Sequence, residues 1–173
     1  MSRLTKADIL RLFELLDAEL AEDEGRGELY VVGGAVMCLL LDARDSTNDV
    51  DALFKPTKLL REAAARVAAR ANVPSTWLND AVKGFLSDRG EFVPYIERSH
   101  LRVYVAEPHY LFAMKCAAMR VGEEFQDLDD VRYLIRHLNI SSVDEALEIV
   151  RRYFDEDQLH VKTRLALDEL LSS

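Results

Sequence analysis

Between residues 6 and 20, the apolar side chains of Ile9, Phe13, Leu16 and Leu20 recur at three- and four-residue steps, the period of a helix that buries one face. Thr5 and Asp8 stand three apart ahead of that run, the spacing at which two side chains cap each other's backbone N–H at a helix start. The acidic, glycine-containing AEDEGRGE, residues 21–28, breaks the period and reads as a loop. LYVV, residues 29–32, is a short β-rich run stopped by Gly33 and Gly34. AVMCLLLDA then reads as a buried helix and NDVDALF, residues 48–54, as a second strand. Pro56 opens TKLLREAAARVAARAN, which keeps helical period to Asn72. VPSTWLNDAVKGF shows no clean period. EFVPYIE and HLRVYVA read as strands joined tightly at Arg98–Ser99. From Pro108 onward only helical patterns follow, broken at Gly122, at Asn139 to Ser142 and at Asp155. The expected organisation is an α/β part over residues 1–106, with a helical region over 107–173 packed on it.

Composition narrows the class. A chain of 173 residues with 49% hydrophobic and 31% charged side chains is long enough for a sizeable core and has the balance of a soluble globular protein. No apolar run approaches the roughly 20 residues a membrane helix needs, so no membrane partner is expected. Acidic residues interrupt the apolar segments of MSRLTKADILRLFELL, which excludes a signal peptide there. Cys38 and Cys116 sit among apolar neighbours and read as reduced core residues of a cytoplasmic protein. His100, His109, His137 and His160 show no ligand spacing, against a zinc site. A net charge of −9 excludes a protein that coats nucleic acid with its whole surface. A polyanion would need a local basic patch or bridging metal ions.

The candidate chemistry lies in LYVVGGAVMCLLLDARDSTNDVDALF, residues 29–54. On a strand, residues two apart face the same side, so Asp49 and Asp51 bring two carboxylates to one place. Like charges that close are costly to bury. Two accounts fit: exposed polar positions of an edge strand, with Asn48–Asp49 still in the turn, or a pair of hard oxygen ligands for Mg²⁺ that hold phosphate oxygens. Gly33–Gly34, where strand gives way to helix, is either a tight turn or a place where a phosphate approaches bare backbone. Strand, Gly-Gly, helix and a strand with Asp-x-Asp, taken together, set a phosphate cradle beside a metal clamp.

In the helical half, Lys115 shares a stripe with Leu111, Phe112, Cys116 and Met119. Its stem either passes the core edge to water or aims a cation at phosphates. Trp77, the single tryptophan, is a core anchor or a surface for stacking a base. Lys58, Arg61, Arg66 and Arg70 share one helix face and read as a solvated face rather than an RNA track. Arg132, Arg136, Arg151 and Arg152 form a weaker basic set that can meet an acceptor.

These motifs resemble the nucleotidyltransferase superfamily, which shares a core with DNA polymerase beta. Its signature is an apolar residue, Gly-Gly or Gly-Ser, a gap, and Asp-apolar-Asp, here Val32-Gly33-Gly34 and Asp49-Val50-Asp51 with a gap from 35 to 48. Arg44, Ser46 and Thr47 in ARDSTNDVD are similar to an Arg-x-Ser/Thr-Thr-x-Asp-x-Asp variant of stand-alone AbiEii/MenT-type toxins. The resemblance implies an α/β (α+β) nucleotidyltransferase fold: a small mixed sheet flanked by helices, with a C-terminal helical bundle. It implies Mg²⁺ on Asp49 and Asp51, NTP as co-substrate, and Gly33, Gly34, Arg44, Ser46 and Thr47 around the phosphates. In the helical half it implies Lys115, Arg120, Asp127 and Asp130, with Lys115 and Asp127 catalytic and Asp127 taking the base-like role. The implied acceptor is the 3′ end of tRNA, and the partner a cognate antitoxin. A protein acceptor is the alternative, modified by a chain that is itself the antitoxin of a partner toxin. A nucleotide-binding interaction module is the third reading. One departure is plain: HLRVYVA carries no acidic residue where many such enzymes place a third carboxylate, leaving Asp80, Glu97 and Glu107 as substitutes.

Overall fold

The computed structural model describes residues 3–119, 125–159 and 161–172. The elements in chain order are β1 (Leu4–Thr5), α1 (Lys6–Glu22), β2 (Gly27–Val32), α2 (Gly34–Leu39), β3 (Ser46–Thr47), β4 (Val50–Lys55), α3 (Thr57–Ala71), β5 (Leu78–Asn79), β6 (Phe92–Glu97), β7 (Leu101–Ala106), α4 (Pro108–Ala118), α5 (Phe125–His137), α6 (Val143–Arg151) and α7 (Val161–Ser172). The chain divides into two compact units. One comprises residues 1–85 with 92–106, the other 86–91 with 107–173.

The first unit is a mixed α/β layer structure. Its five-stranded sheet runs β5-β4-β2-β7-β6. The pair β2–β4 is antiparallel, β2–β7 and β4–β5 are parallel, and β6–β7 is an antiparallel hairpin with an irregularity between Pro94 and Ile96. Alternation along the strands sets the layers. Leu29 and Val31 of β2, Ala52 and Phe54 of β4, and Val103 and Val105 of β7 are buried, while Tyr30, Leu53 and Tyr104 between them are only half-buried. The helices α1 and α3 pack on each other, α3 against β4 and α1 against β7. The capping box forms as the spacing predicts: Thr5 Oγ1 accepts from the Asp8 N–H at 3.1 Å, and Asp8 Oδ2 accepts from the Thr5 N–H at 2.9 Å.

One basic face adds to its sequence reading. Arg66 and Arg70 of α3 are solvated, as expected, with side chains 40% and 51% exposed, but they are also bonded. Arg66 Nε donates to Glu19 Oε2 at 2.8 Å and Arg70 Nη1 to Glu19 Oε1 at 2.7 Å, and Arg66 also pairs with Asp23. These bonds clamp α3 to α1 because Glu19 points inward from the α1 face that holds Leu16 and Leu20. Trp77 is buried, and its indole N–H donates to the Ala64 carbonyl of α3 at 3.0 Å.

The second unit is helical. In it α4 packs against both α5 and α6, and α6 against α7. Pro108 starts α4, and the Glu107 carboxylate accepts from the backbone N–H groups of His109 and Tyr110. Segment 86–91 belongs to this unit although it lies between elements of the first. Its Ser87 N–H donates to Tyr110 Oη at 3.0 Å, Arg89 pairs with Asp155 at 3.0 Å, and Glu91 accepts from Tyr153 Oη at 3.1 Å. No helix among the described residues is long and apolar enough to cross a membrane.

Candidate functional site

The site is built where β2 ends and β4 begins. These strands are antiparallel and Val32 pairs with Asp51, so the residue that precedes the glycines lies beside the second aspartate. Gly33 caps α2 with φ +71°, a left-handed conformation open to glycine and strained for other residues. A Cβ on Gly33 would lie 3.4 Å from Asp51 Oδ2. A Cβ on Gly34 would meet Arg44 Nη1 at 2.6 Å and Thr47 Oγ1 at 3.1 Å. The bare backbone of the pair is thus what lets a carboxylate, a guanidinium and a hydroxyl converge on one turn. The second glycine is required by close approach, the first by conformation.

Strand β4 starts at Val50, two residues later than the run 48–54 suggests, so Asn48 and Asp49 lie before the strand. Val50 is fully buried between two half-buried aspartates, and alternation sends both carboxyls away from the core. Asp49 Oδ2 accepts from Asn79 Nδ2 of β5 at 3.1 Å. Burial nevertheless pushes the Asp49 pKa above its ordinary value, and the Asn79 bond opposes that only in part. A desolvated carboxylate with one neutral donor is a group that gains from a nearby cation.

Ser46 and Thr47 hold the loop rather than reaching outward. Ser46 Oγ accepts from Arg3 Nε at 2.8 Å and its carbonyl from Arg3 Nη2 at 2.9 Å, while Arg3 Nη1 donates to Asn48 Oδ1 at 3.2 Å. Thr47 is buried and its Oγ1 donates to the Asp49 carbonyl at 3.3 Å. Leu4 and Thr5 pair with Thr47 and Ser46 in a two-stranded ribbon. The sequence reading did not find Arg3 or Asn79. Both act across long chain separations, and only the position of Asn79 in the irregular WLND stretch set it apart.

In the second unit, Lys115 Nζ and Asp130 Oδ2 form an ion pair at 2.9 Å, with side chains 12% and 4% exposed. Asp130 therefore faces the interior of that unit. Arg120 lies outside the described residues, and Asp127 falls within α5 with its side chain also outside them. Of the substitute carboxylates, Asp80 is held by Arg61 at 2.7 Å, Glu97 by Arg102 at 3.3 Å, and Glu107 by His109 at 2.8 Å. Among the described residues no three His, Cys, Asp or Glu side chains gather as a metal site. The residues that could hold a metal are Asp49 and Asp51, two hard carboxylates of the kind that bind Mg²⁺, an ion that keeps waters and takes phosphate oxygens to complete its shell.

Residues 7–167 match the family described as a nucleotidyltransferase of unknown function, DUF6036. The chain belongs to that family. Neither a curated protein nor a solved structure matches it. The match covers both units of this nucleotidyltransferase, and its sheet carries the Gly-Gly and Asp-x-Asp elements in adjacent strands.

Proposed function

We propose that this nucleotidyltransferase moves the nucleoside monophosphate of an NTP, with Mg²⁺, onto the 3′ hydroxyl of tRNA, as the toxin of an AbiEii/MenT-type toxin–antitoxin pair. The observation that carries the transfer chemistry is the convergence of Asp51 Oδ2, Arg44 Nη1 and Thr47 Oγ1 on the Gly33–Gly34 turn, with Asp49 two residues before Asp51. The turn exposes backbone to a triphosphate, and Arg44 offers a planar fork matched to phosphate oxygens. Asp49 and Asp51 would hold Mg²⁺, which supplies charge neutralisation at the phosphates when bound. Asn79 and Thr47 orient Asp49 through its carboxyl and its carbonyl. By the same resemblance Lys115, Arg120, Asp127 and Asp130 of the second unit would serve the transfer, Lys115 and Asp127 as catalytic residues, and within that unit Lys115 pairs with the buried Asp130. What supports the toxin role and the tRNA acceptor is the ARDSTNDVD stretch, similar to that toxin type.

The test is incubation with Mg²⁺ and each NTP labelled at its α-phosphate, with total tRNA and a cell lysate as acceptors, beside Asp49→Ala/Asp51→Ala. Label in tRNA that the variant loses is the expected result. Label in a protein band instead would replace the tRNA acceptor with a protein. Absence of label, together with tight NTP binding, would make the chain a binding module.

A further inference from the structure

At the other end of β2 from the glycines lies a cavity of about 700 Å³, wholly within the first unit. Its rim carries Arg26, Lys55, Arg98 and Arg102, against the carboxylates of Glu28 and Glu97. On a chain of net charge −9, that is a local reversal of sign. The bland account is a cross-strand charge ladder: Lys55 pairs in register with Glu28, Glu28 with Arg102, and Arg102 with Glu97. The ladder does not explain Arg26, which stands exposed in the loop before β2, nor Arg98 in the β6–β7 connection.

The carboxylates are also partly engaged elsewhere. Glu28 accepts from Tyr30 Oη at 3.5 Å and Tyr104 Oη at 3.4 Å. Arg98 is held by the exposed Glu14 at 3.0 Å and Arg102 by the exposed Glu97 at 3.3 Å, while Lys55 rests over the half-buried Tyr30 ring at 4.9 Å. Exposed pairs of this kind contribute little and exchange readily for a stronger anion. Arginine forks and a mobile ammonium around one concavity match phosphate oxygens.

We propose that this cavity seats the phosphodiester backbone of the RNA acceptor, while the 3′ end reaches Asp49 and Asp51. The inference rests on the RNA-acceptor reading above and adds where the body of that RNA lies. Five residue steps separate Gly27 from Val32, about 17 Å along a strand, a span that a few nucleotides of an RNA 3′ end can cover. One strand thus measures the distance from backbone grip to reacting end. A cation cluster that grips backbone predicts affinity without sequence preference and with strong salt dependence.

The experiment is fluorescence anisotropy of the full chain with a labelled RNA hairpin bearing a single-stranded 3′ tail, titrated over a series of salt concentrations. The variants are Arg26→Gln/Lys55→Gln/Arg102→Gln and the single Arg26→Gln, each checked for wild-type melting. The triple variant is expected to bind at least about tenfold more weakly, with the slope of log affinity against log salt reduced by about 2 to 3, and the single variant by about 1. A merely structural loss would not change that slope in proportion to the charges removed. Unchanged affinity and slope in the triple variant, with wild-type protein still labelling tRNA, would overturn this inference and leave the proposed function standing. Label passing from the wild type only to protein would overturn both.

Discussion

Two carboxylates in the first unit, the buried Glu19 and the half-buried Asp49, are treated in opposite ways. Glu19 is 3% exposed and accepts from two guanidinium groups, Arg66 and Arg70, which hold its pKa below the ordinary value despite burial. Asp49 receives one neutral amide from Asn79, and burial drives its pKa up. The first charge is fully matched by the fold and works as a clamp between α1 and α3. The second is left with unmet demand for positive charge, beside a turn of bare glycine backbone and a second carboxylate. The fold supplies two arginines to Glu19 and one amide to Asp49, so the Asp49 charge is the costlier of the two in the free protein.

The sharpest way to break that contrast is to remove the two carboxylates beside the glycine turn. Asp49→Ala/Asp51→Ala is expected to lower transfer by at least about a thousandfold, roughly 4 kcal/mol of transition-state stabilisation. The variant should also lose the rise in melting temperature that Mg²⁺ with NTP gives the parent. Retained transfer would sink the assignment of these residues.

The ion pair in the second unit extends the contrast, because Lys115–Asp130 is buried and matched, like Glu19, yet is proposed to serve chemistry. Lys115→Met removes the ammonium group paired with the buried Asp130 and is expected to cost about 3 kcal/mol in urea unfolding. Lys115→Met/Asp130→Leu should recover most of that stability without recovering transfer. Recovery of both would make the pair structural only.

How far the sequence carried these assignments follows from the range of the forces. The capping box at Thr5 and Asp8, the stop at Gly33–Gly34, the β6–β7 hairpin and the four C-terminal helices are local patterns, and the fold contains them. Nucleotidyltransferase membership was legible because Gly33–Gly34 and Asp49-Val50-Asp51 are compact motifs that a single antiparallel strand pair brings together. What escaped depends on partners distant in the chain. Nothing near Arg3 announces a bond to Ser46, 43 residues on, and nothing near Arg66 announces Glu19, 47 residues back. The spacing of Arg66 and Arg70 in α3 sets them one turn apart, but only the packing against α1 shows that both are bonded to Glu19. The strands of two residues, β1, β3 and β5, are too short for a period of two to register.

Glu19 tests the matched side of the contrast. Glu19→Gln removes a charge to which two arginines point, and an expected loss of about 2 kcal/mol reflects guanidinium groups that keep contact with water. The loss should depend on pH. Because the folded pKa of Glu19 lies below its unfolded value near 4.5, the stability it contributes is present above that value and disappears as pH falls through the folded pKa. Urea midpoints of parent and variant are therefore expected to differ at pH 7 and to converge in acid. A constant gap down to low pH would show that the carboxylate charge is not what holds α1 to α3.

Asp49 predicts the mirror image with a smaller amplitude. Its folded pKa lies above the unfolded value of 3.8, so the folded state binds the proton more readily than the unfolded state. The charged carboxylate then costs stability at every pH above the folded pKa, and the cost is relieved as pH falls towards 3.8. Asp49→Asn retains the acceptor for Asn79 and removes the charge. It is expected to stabilise the protein at pH 7 by less than about 1 kcal/mol, since the group is only half-buried. The gain should vanish in acid and transfer should be lost at every pH, so stability and activity move in opposite directions. A variant less stable than the parent at pH 7 would mean that the Asp49 charge is already matched in the free protein, and that the contrast with Glu19 is one of geometry alone.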